Sequence, residues 1–156
     1  ACPFSRGAHR CGEASWLDIS VEQHDVFHRD VRWLFAHAGP DDHALTITWP
    51  NAPRGHLFLR AGFTQASTRR KAGSPLHLRV EVDGAQELNV TFEPTDYRLA
   101  RLLISPETEG KTMTVSLTIQ AERSSWRQLM VEADIFEHLH ESLRESADQH
   151  ADTPGA

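Results

Sequence analysis

The sequence lacks any long apolar run, and no stretch is long enough to cross a bilayer. Cationic residues are also in the minority, with 16 Lys and Arg against 22 Asp and Glu, for a formal net charge of -6. Binding to DNA or RNA needs clustered cations that displace counterions from the phosphates. The composition therefore predicts no transmembrane segment and no nucleic-acid partner.

Cysteine is scarce, and both copies, Cys2 and Cys11, lie near the N-terminus. A structural zinc site needs four ligands, whereas eight intervening residues are ample for a short disulfide loop. We therefore expect a disulfide and an exported protein that is periplasmic, secreted or held at the cell surface. The first residue, Ala1, indicates processing or trimming. Ala1 before Cys2 also resembles the end of a bacterial lipoprotein signal, which makes lipidation of Cys2 the alternative.

Catalytic signatures are missing as well. The sequence contains no G-x-S-x-G nucleophile motif and no Gly-rich phosphate loop. His24 and His28 are four residues apart, as in the zinc-binding H-E-x-x-H motif, but Asp25 replaces the glutamate and no third ligand follows at a recognised spacing. We therefore expect a protein that is not an enzyme.

What the sequence does contain is a strong two-residue periodicity. The chain has 156 residues, of which 39% are hydrophobic and 24% charged, enough for one globular domain with a real core. From residue 15 onward apolar and polar residues alternate, as in half-buried antiparallel strands. The clearest case is a hairpin over 76–92, because Asp83-Gly84 favours the positive φ angles of a type I′ turn. The longest predicted strand covers 112–121.

Three further local predictions complete the outline. The breaker cluster between Pro50 and Gly55 predicts a turn between two paired strands. Residues 22–30 are predicted to form a turn of helix. Apolar residues recur from Phe136 at helical spacing, which predicts a short amphipathic helix and a disordered tail over 137–156. The domain itself is assigned to 15–136, after an N-terminal segment at 1–14.

Eight or nine short strands without long helices favour an all-β fold, an antiparallel β-sandwich of jelly-roll type, over a parallel α/β sheet. In the order of "LTITWPNAPRGHLFLRAGF", "SPLHLRVEVDG", "KTMTVSLTIQA" and "LMVEADIF", residues 33–136 resemble the jelly-roll, galactose-binding-like modules of bacterial cell-envelope and carbohydrate-active proteins. That resemblance implies sugar binding through loops at one end or through a concave sheet face, often beside a structural calcium.

Sugar recognition needs aromatic faces for stacking and a few polar groups that bind hydroxyls. Among the four tryptophans, Trp126 is the first candidate, because it opens its strand on the outward parity. Trp49 has the parity of inward-facing residues and is expected to be mainly a core residue, although it remains a ligand candidate. Asn51, Arg54 and His56 follow it as candidate polar contacts.

Histidine is unusually frequent, with ten copies. His37, Asp42 and His43 bracket one turn and form the candidate metal site, in which imidazoles favour zinc and carboxylates favour calcium. Isolated surface histidines without a ligand role are the competing interpretation.

The sequence thus predicts a non-catalytic binding or accessory module of the cell envelope, with carbohydrate as the first ligand class. Two alternatives remain. One is a structural or assembly protein that docks an envelope protein partner through a sheet face or the C-terminal helix. The other is a histidine-based metal-binding protein.

Overall fold

The structure of the chain is a computed structural model. It describes residues 4–5, 8–10, 18–26, 29–38, 44–64, 67–68, 74–106, 109–123 and 127–138. At 4–5, 8–10, 18, 22–26, 29–32 and 86–87 it describes the backbone alone. Cys2 and Cys11 lie outside the described residues, as does 139–156, which holds most of the predicted C-terminal helix. Within the described ranges, no helix has the length and hydropathy that crossing a bilayer requires.

The described residues form an all-β fold of eleven strands, as the alternating pattern predicts. The strands are β1 (Phe4–Ser5), β2 (Ala8–Arg10), β3 (Asp18–Val26), β4 (Arg29–His37), β5 (Leu45–Pro53), β6 (His56–Phe63), β7 (Leu76–Val82), β8 (Ala85–Phe92), β9 (Ala100–Ile104), β10 (Thr112–Ala121) and β11 (Gln128–Phe136).

These strands form two antiparallel sheets, consistent with a β-sandwich. The larger sheet has the order β1-β2-β3-β4-β11-β6-β9, and the smaller sheet has the order β5-β10-β7-β8. Inward-facing residues of both sheets build one core, because alternate side chains of each strand point to the same face. That core includes fully buried Leu59 on β6, Val80 on β7 and Leu117 on β10.

The predicted hairpin is confirmed. β7 and β8 pair in antiparallel register from Leu76 opposite Phe92 to Val82 opposite Ala85. Asp83 and Gly84 connect them with φ angles of 53° and 80°, the signs that a type I′ turn requires. The predicted strand over 112–121 is also confirmed as β10, the central partner of β5 and β7.

The predicted pairing across the breaker cluster is wrong. β5 continues to Pro53 and β6 begins at His56, but β5 pairs with β10 in the smaller sheet, whereas β6 pairs with β11 and β9 in the larger one. The short connection is therefore a corner between the two sheets. Its fit is tight, because a Cβ on Gly55 would lie 2.6 Å from the carbonyl oxygen of Phe136.

The predicted helical turn over 22–30 is also wrong. β3 continues to Val26 and β4 begins at Arg29, and the two strands pair from Ile19 opposite Ala36 to Val26 opposite Arg29. Cross-strand hydrogen bonds satisfy the backbone here even though the sequence lacks clean alternation. His24 consequently lies on a strand, so the four-residue spacing to His28 does not have the helical meaning of the H-E-x-x-H motif.

A second, smaller cluster lies on the opposite parity of β4 and β11. Trp33, Phe35 and Met130 are buried there, and Leu99 packs against them. Their parity differs from that of the main-core residues Ala36 and Val131, so the larger sheet carries buried apolar residues on both of its faces.

Candidate functional site

An apolar cavity of about 340 Å³ lies between the two sheets, next to the corner that joins β5 to β6. Four strands contribute its walls: β5 and β10 from the smaller sheet, β6 and β11 from the larger one. The described side chains that line it are all hydrophobic or proline: Trp49, Pro50, Ala52, Pro53, Leu57, Leu59, Val115, Leu117, Ala133 and Ile135.

The cavity forms where neither sheet extends further. β5 is an edge strand of the smaller sheet. In the larger sheet, the described register between β4 and β11 joins residues 34–37 to 128–131, so it stops before Ala133. Ala133 is accordingly exposed, although it pairs with the fully buried Leu59. Alanines at 52 and 133 add to the space, because a larger side chain at either position would fill part of it.

Trp49 lies at this open edge. It pairs with Val115, so its inward parity is the predicted one. Its side chain is nevertheless 38% exposed, because it lies on an edge strand beside the cavity rather than in the closed core. An indole in that position offers one surface to the cavity and another to solvent, the arrangement that an aromatic stacking platform needs.

A β-bulge follows Trp49. The β5–β10 register shifts between Met113 and Val115, which places Pro50 and Asn51 together opposite one residue, Thr114. Asn51 has a φ of 60°, and a bulge of this kind commonly needs a positive φ that Asn tolerates better than most residues. The bulge restores the inward parity of Ala52 and leaves Asn51 exposed two residues from Trp49.

Arg54 is held in a structural clamp. Its Nη2 donates to Asp83 Oδ2 at 2.7 Å and to the Thr112 carbonyl oxygen at 2.7 Å. The other carboxylate oxygen of Asp83 accepts the Thr114 N–H at 2.8 Å. Arg54 therefore ties the β5–β6 corner to the β7–β8 turn and to β10, and this task occupies at least one edge of its guanidinium.

His56 lies at the start of β6, opposite Phe136 in the register with β11. Its Nδ1 forms a hydrogen bond with Ser105 Oγ at 2.8 Å, just beyond the end of β9. The β5–β6 corner thus brings Trp49, Asn51, Arg54 and His56 to one end of the sandwich, but Trp49 alone among them lines the cavity. The remaining ligand candidate, Trp126, lies outside the described residues.

His37 lies at the end of β4 and is only 7% exposed. Its Nε2 is 2.9 Å from Gln128 Nε2, and Gln128 Oε1 accepts a hydrogen bond from Thr64 Oγ1 at 3.0 Å. His37 therefore belongs to a buried polar network that joins β4, β6 and β11. Asp42 and His43 lie outside the described residues, so the metal site assigned to these three residues stays a prediction.

A second buried polar group precedes β11. Arg127 is fully buried, and its guanidinium carbon lies 5.2 Å from the centre of the Phe63 ring. Burial lowers the pKa of Arg127, because desolvation disfavours its charged form. In the part of the chain that the structure describes, no three His, Cys, Asp or Glu side chains are grouped so that they could hold a metal ion.

The cavity itself has no clear signature in the amino-acid sequence. Its β11 wall, Ala133 and Ile135, has the ordinary inward parity of a core strand. A weak signal was present, since small alanines occupy inward positions on two different strands. It became informative only once the topology had placed those strands opposite each other at an open edge.

No family model matches the chain, and no curated protein matches it either. Among solved structures, the chain is similar to the CBM51-2 and INT domains of Clostridium perfringens ZmpB, with 12% identity, a TM-score of 0.52, and coverage of 79% of this chain and 26% of that one. A family GH115 4-O-methyl-α-glucuronidase, BtGH115A, matches with 14% identity over 69% of this chain and 15% of that one, at a TM-score of 0.37. This chain therefore spans a minor part of either structure. The first likeness supports an all-β sandwich fold and nothing finer.

Proposed function

We propose that this chain is a non-catalytic binding or accessory module of jelly-roll type whose ligand is a glycan, and that Trp49 supplies the stacking surface. The observation that carries the proposal is the partly exposed indole at the mouth of the apolar cavity. The inward row of β5 and β10 otherwise consists of half-buried or buried aliphatic residues around it, so Trp49 is where an aromatic ring meets solvent at this edge.

Stacking on an indole suits a sugar ring, because the C–H face of the ring is apolar while its hydroxyls remain at the rim. Asn51 lies on the same strand and is exposed, and its amide can donate to one hydroxyl and accept from another. The described side chains that line the cavity beside Trp49 include no acid, base or nucleophile. This combination supports binding rather than bond cleavage.

The structure from Clostridium perfringens ZmpB contains a domain named CBM51-2, and its likeness to this chain reaches the level of the fold. We propose that this chain shares a carbohydrate-related role with such modules. Trp49 and its surroundings, rather than that likeness, support the location of the site.

The test is a glycan-array screen of the untagged protein, followed by titration of each hit against Trp49→Ala and Tyr97→Ala. Tyr97 is the matched control, because it is 59% exposed and its hydroxyl donates to the Thr68 carbonyl beyond the other end of β6. We expect Trp49→Ala to weaken glycan binding at least about tenfold, as for a desolvated aromatic anchor, and Tyr97→Ala to leave it unchanged.

Two outcomes contradict this proposal. If folded protein binds no glycan on the array, the glycan hypothesis is rejected and a protein partner is favoured. If Trp49→Ala and wild type bind the glycan with equal affinity, Trp49 is not part of the binding site, and Trp126→Ala is the next variant to test. A parallel array with EDTA tests whether calcium or zinc takes part, since a metal-dependent site loses its ligand when the metal is removed.

We further propose that the module is exported, in keeping with a disulfide between Cys2 and Cys11. Paired cysteines close in sequence are stable in oxidising compartments and are reduced in the cytosol. The bridge would close a short loop before β3, the first long strand of the larger sheet.

A further inference from the structure

The cavity beside Trp49 is lined by side chains that are poor hydrogen-bonding partners for a sugar. The lining side chains that the structure describes are hydrophobic or proline. Sugar hydroxyls inside it would lose hydrogen bonds to water and find few polar groups to replace them, which is costly for each buried polar group. The sugar of the proposed ligand therefore stays at the mouth, on Trp49, and the interior suits a different chemical group.

The volume indicates the size of that group. A cavity of about 150 Å³ lined by aliphatic residues and Phe holds one benzene molecule. At about 340 Å³, the cavity between the sheets has room for roughly twice that content, on the order of a dozen carbon atoms. Leu57 and Leu59 on β6 and Val115 and Leu117 on β10 are among the residues that line it.

The cavity also opens to solvent at a defined place. Among the described lining residues, Trp49, Pro50 and Pro53 on β5 and Ala133 on β11 are exposed, whereas Leu59 and Leu117 are fully buried, so we infer that the cavity opens toward β5 and Ala133. A ligand that enters here places its outer end against the indole and its inner end among leucines. The ligand must therefore be amphipathic, with a polar end outside and an apolar end inside.

We propose that the cavity binds an unbranched alkyl or acyl group of about eight to twelve carbons, carried by the glycan that stacks on Trp49. The sugar part of this inference rests on the proposed function, and the apolar part rests on the cavity alone. The occupant is thus the hydrophobic substituent of an acylated or lipid-linked sugar.

The first experiment tests the apolar part without any sugar. Titration calorimetry with linear alcohols from butanol to decanol follows affinity as the chain lengthens. Each added methylene that enters the cavity is expected to strengthen binding by about fourfold, and the gain ends once the cavity is full. Flat, weak affinities across the series overturn the inference.

The second experiment fills the cavity from its exposed side. Ala133→Leu adds bulk at the mouth, and Ala85→Leu is the matched control, because Ala85 is exposed at the start of β8 and does not line the cavity. We expect Ala133→Leu to weaken octanol binding at least about tenfold and Ala85→Leu to leave it unchanged. Equal effects of the two variants overturn the inference.

The third experiment separates this inference from the proposed function. Octyl β-glucoside, below its micelle concentration, is compared with methyl β-glucoside and with the array hits. Tighter binding of the octyl compound by at least about fifty-fold supports the cavity occupant, since only part of the chain needs to be buried. If the protein binds alcohols but no glycan on the array, the proposed glycan ligand is rejected and alkyl binding in the cavity is supported. If the array gives a hit but octyl β-glucoside binds no more tightly than methyl β-glucoside, alkyl binding in the cavity is rejected and the proposed glycan ligand is supported.

Discussion

The side chain of Asp83 holds three elements together, and its removal gives the most quantitative test of the fold. One carboxylate oxygen accepts from Arg54 in the β5–β6 corner, and the other accepts the Thr114 N–H of β10. Asp83 also occupies a φ of 53°, which Asp and Asn tolerate better than other residues with a Cβ. Two substitutions separate these contributions.

Asp83→Asn keeps the tolerance for a positive φ and one acceptor oxygen. It removes the negative charge, and its amide nitrogen would then face a hydrogen-bond donor at one of the two contacts. The side chains of the pair are 16% and 29% exposed, so the loss lies between that of a surface ion pair and that of a buried one. We expect a destabilisation of about 1.5 kcal/mol, which lowers the Tm by about 3 to 6 °C for a domain of this size.

Asp83→Ala removes both hydrogen bonds and places alanine in the left-handed region, which adds about 1 kcal/mol. The expected total is about 3 to 4 kcal/mol. Urea unfolding followed by circular dichroism measures both variants, and 1 M salt should reduce the cost of Asp83→Asn because it screens a partly exposed pair. Equal stability of the two variants, or wild-type stability of Asp83→Asn, would refute the reasoning. A cycle with Arg54→Met that shows no coupling would do the same.

Two further predictions concern the corner and the N-terminus. Gly55→Ala should destabilise the domain by about 1 to 3 kcal/mol, because the new Cβ would lie 2.6 Å from the Phe136 carbonyl oxygen and the end of β11 must move. A Tm equal to that of wild type would contradict the tight corner. Gly84→Ala is the control, because Gly84 has open space around it and a φ of 80°, so this variant measures the cost of the backbone conformation alone. The non-reduced protein, exported from its host, should have a mass lower by two hydrogens and no thiol that reacts with iodoacetamide, whereas two reactive thiols, or a lipid on Cys2, would contradict the disulfide.

Local chemistry made parts of the fold predictable from the sequence. Asp83-Gly84 specified its turn because only a few residues adopt the two positive φ angles, and Met113 to Ala121 specified β10 through strict alternation. The pairing of β5 was not predictable in the same way. A breaker cluster fits a hairpin and an inter-sheet corner equally well, and the choice depends on partners such as β10 that lie about seventy residues further along the chain.

The candidate site shows the same division. The parity of Trp49 was predicted correctly, since it depends on adjacent residues, but its exposure was not. Exposure depends on β5 being an edge strand and on where the pairing of β4 with β11 stops. These are properties of the whole topology. Arg54 was identified as a polar residue near the site, yet its clamp to Asp83 joins residues 29 positions apart and has no local signature.

The prolines of β5 have a consequence for how the module behaves among other copies of itself. Pro50 and Pro53 lie on β5, an edge strand of the smaller sheet, and neither residue has an amide hydrogen that could donate to another strand. The bulge at Asn51 also distorts β5 from a regular strand. An extended segment of another molecule therefore finds no continuous template there. Trp49 and the cavity can therefore stay open to solvent without strand-to-strand association between copies of the module through β5.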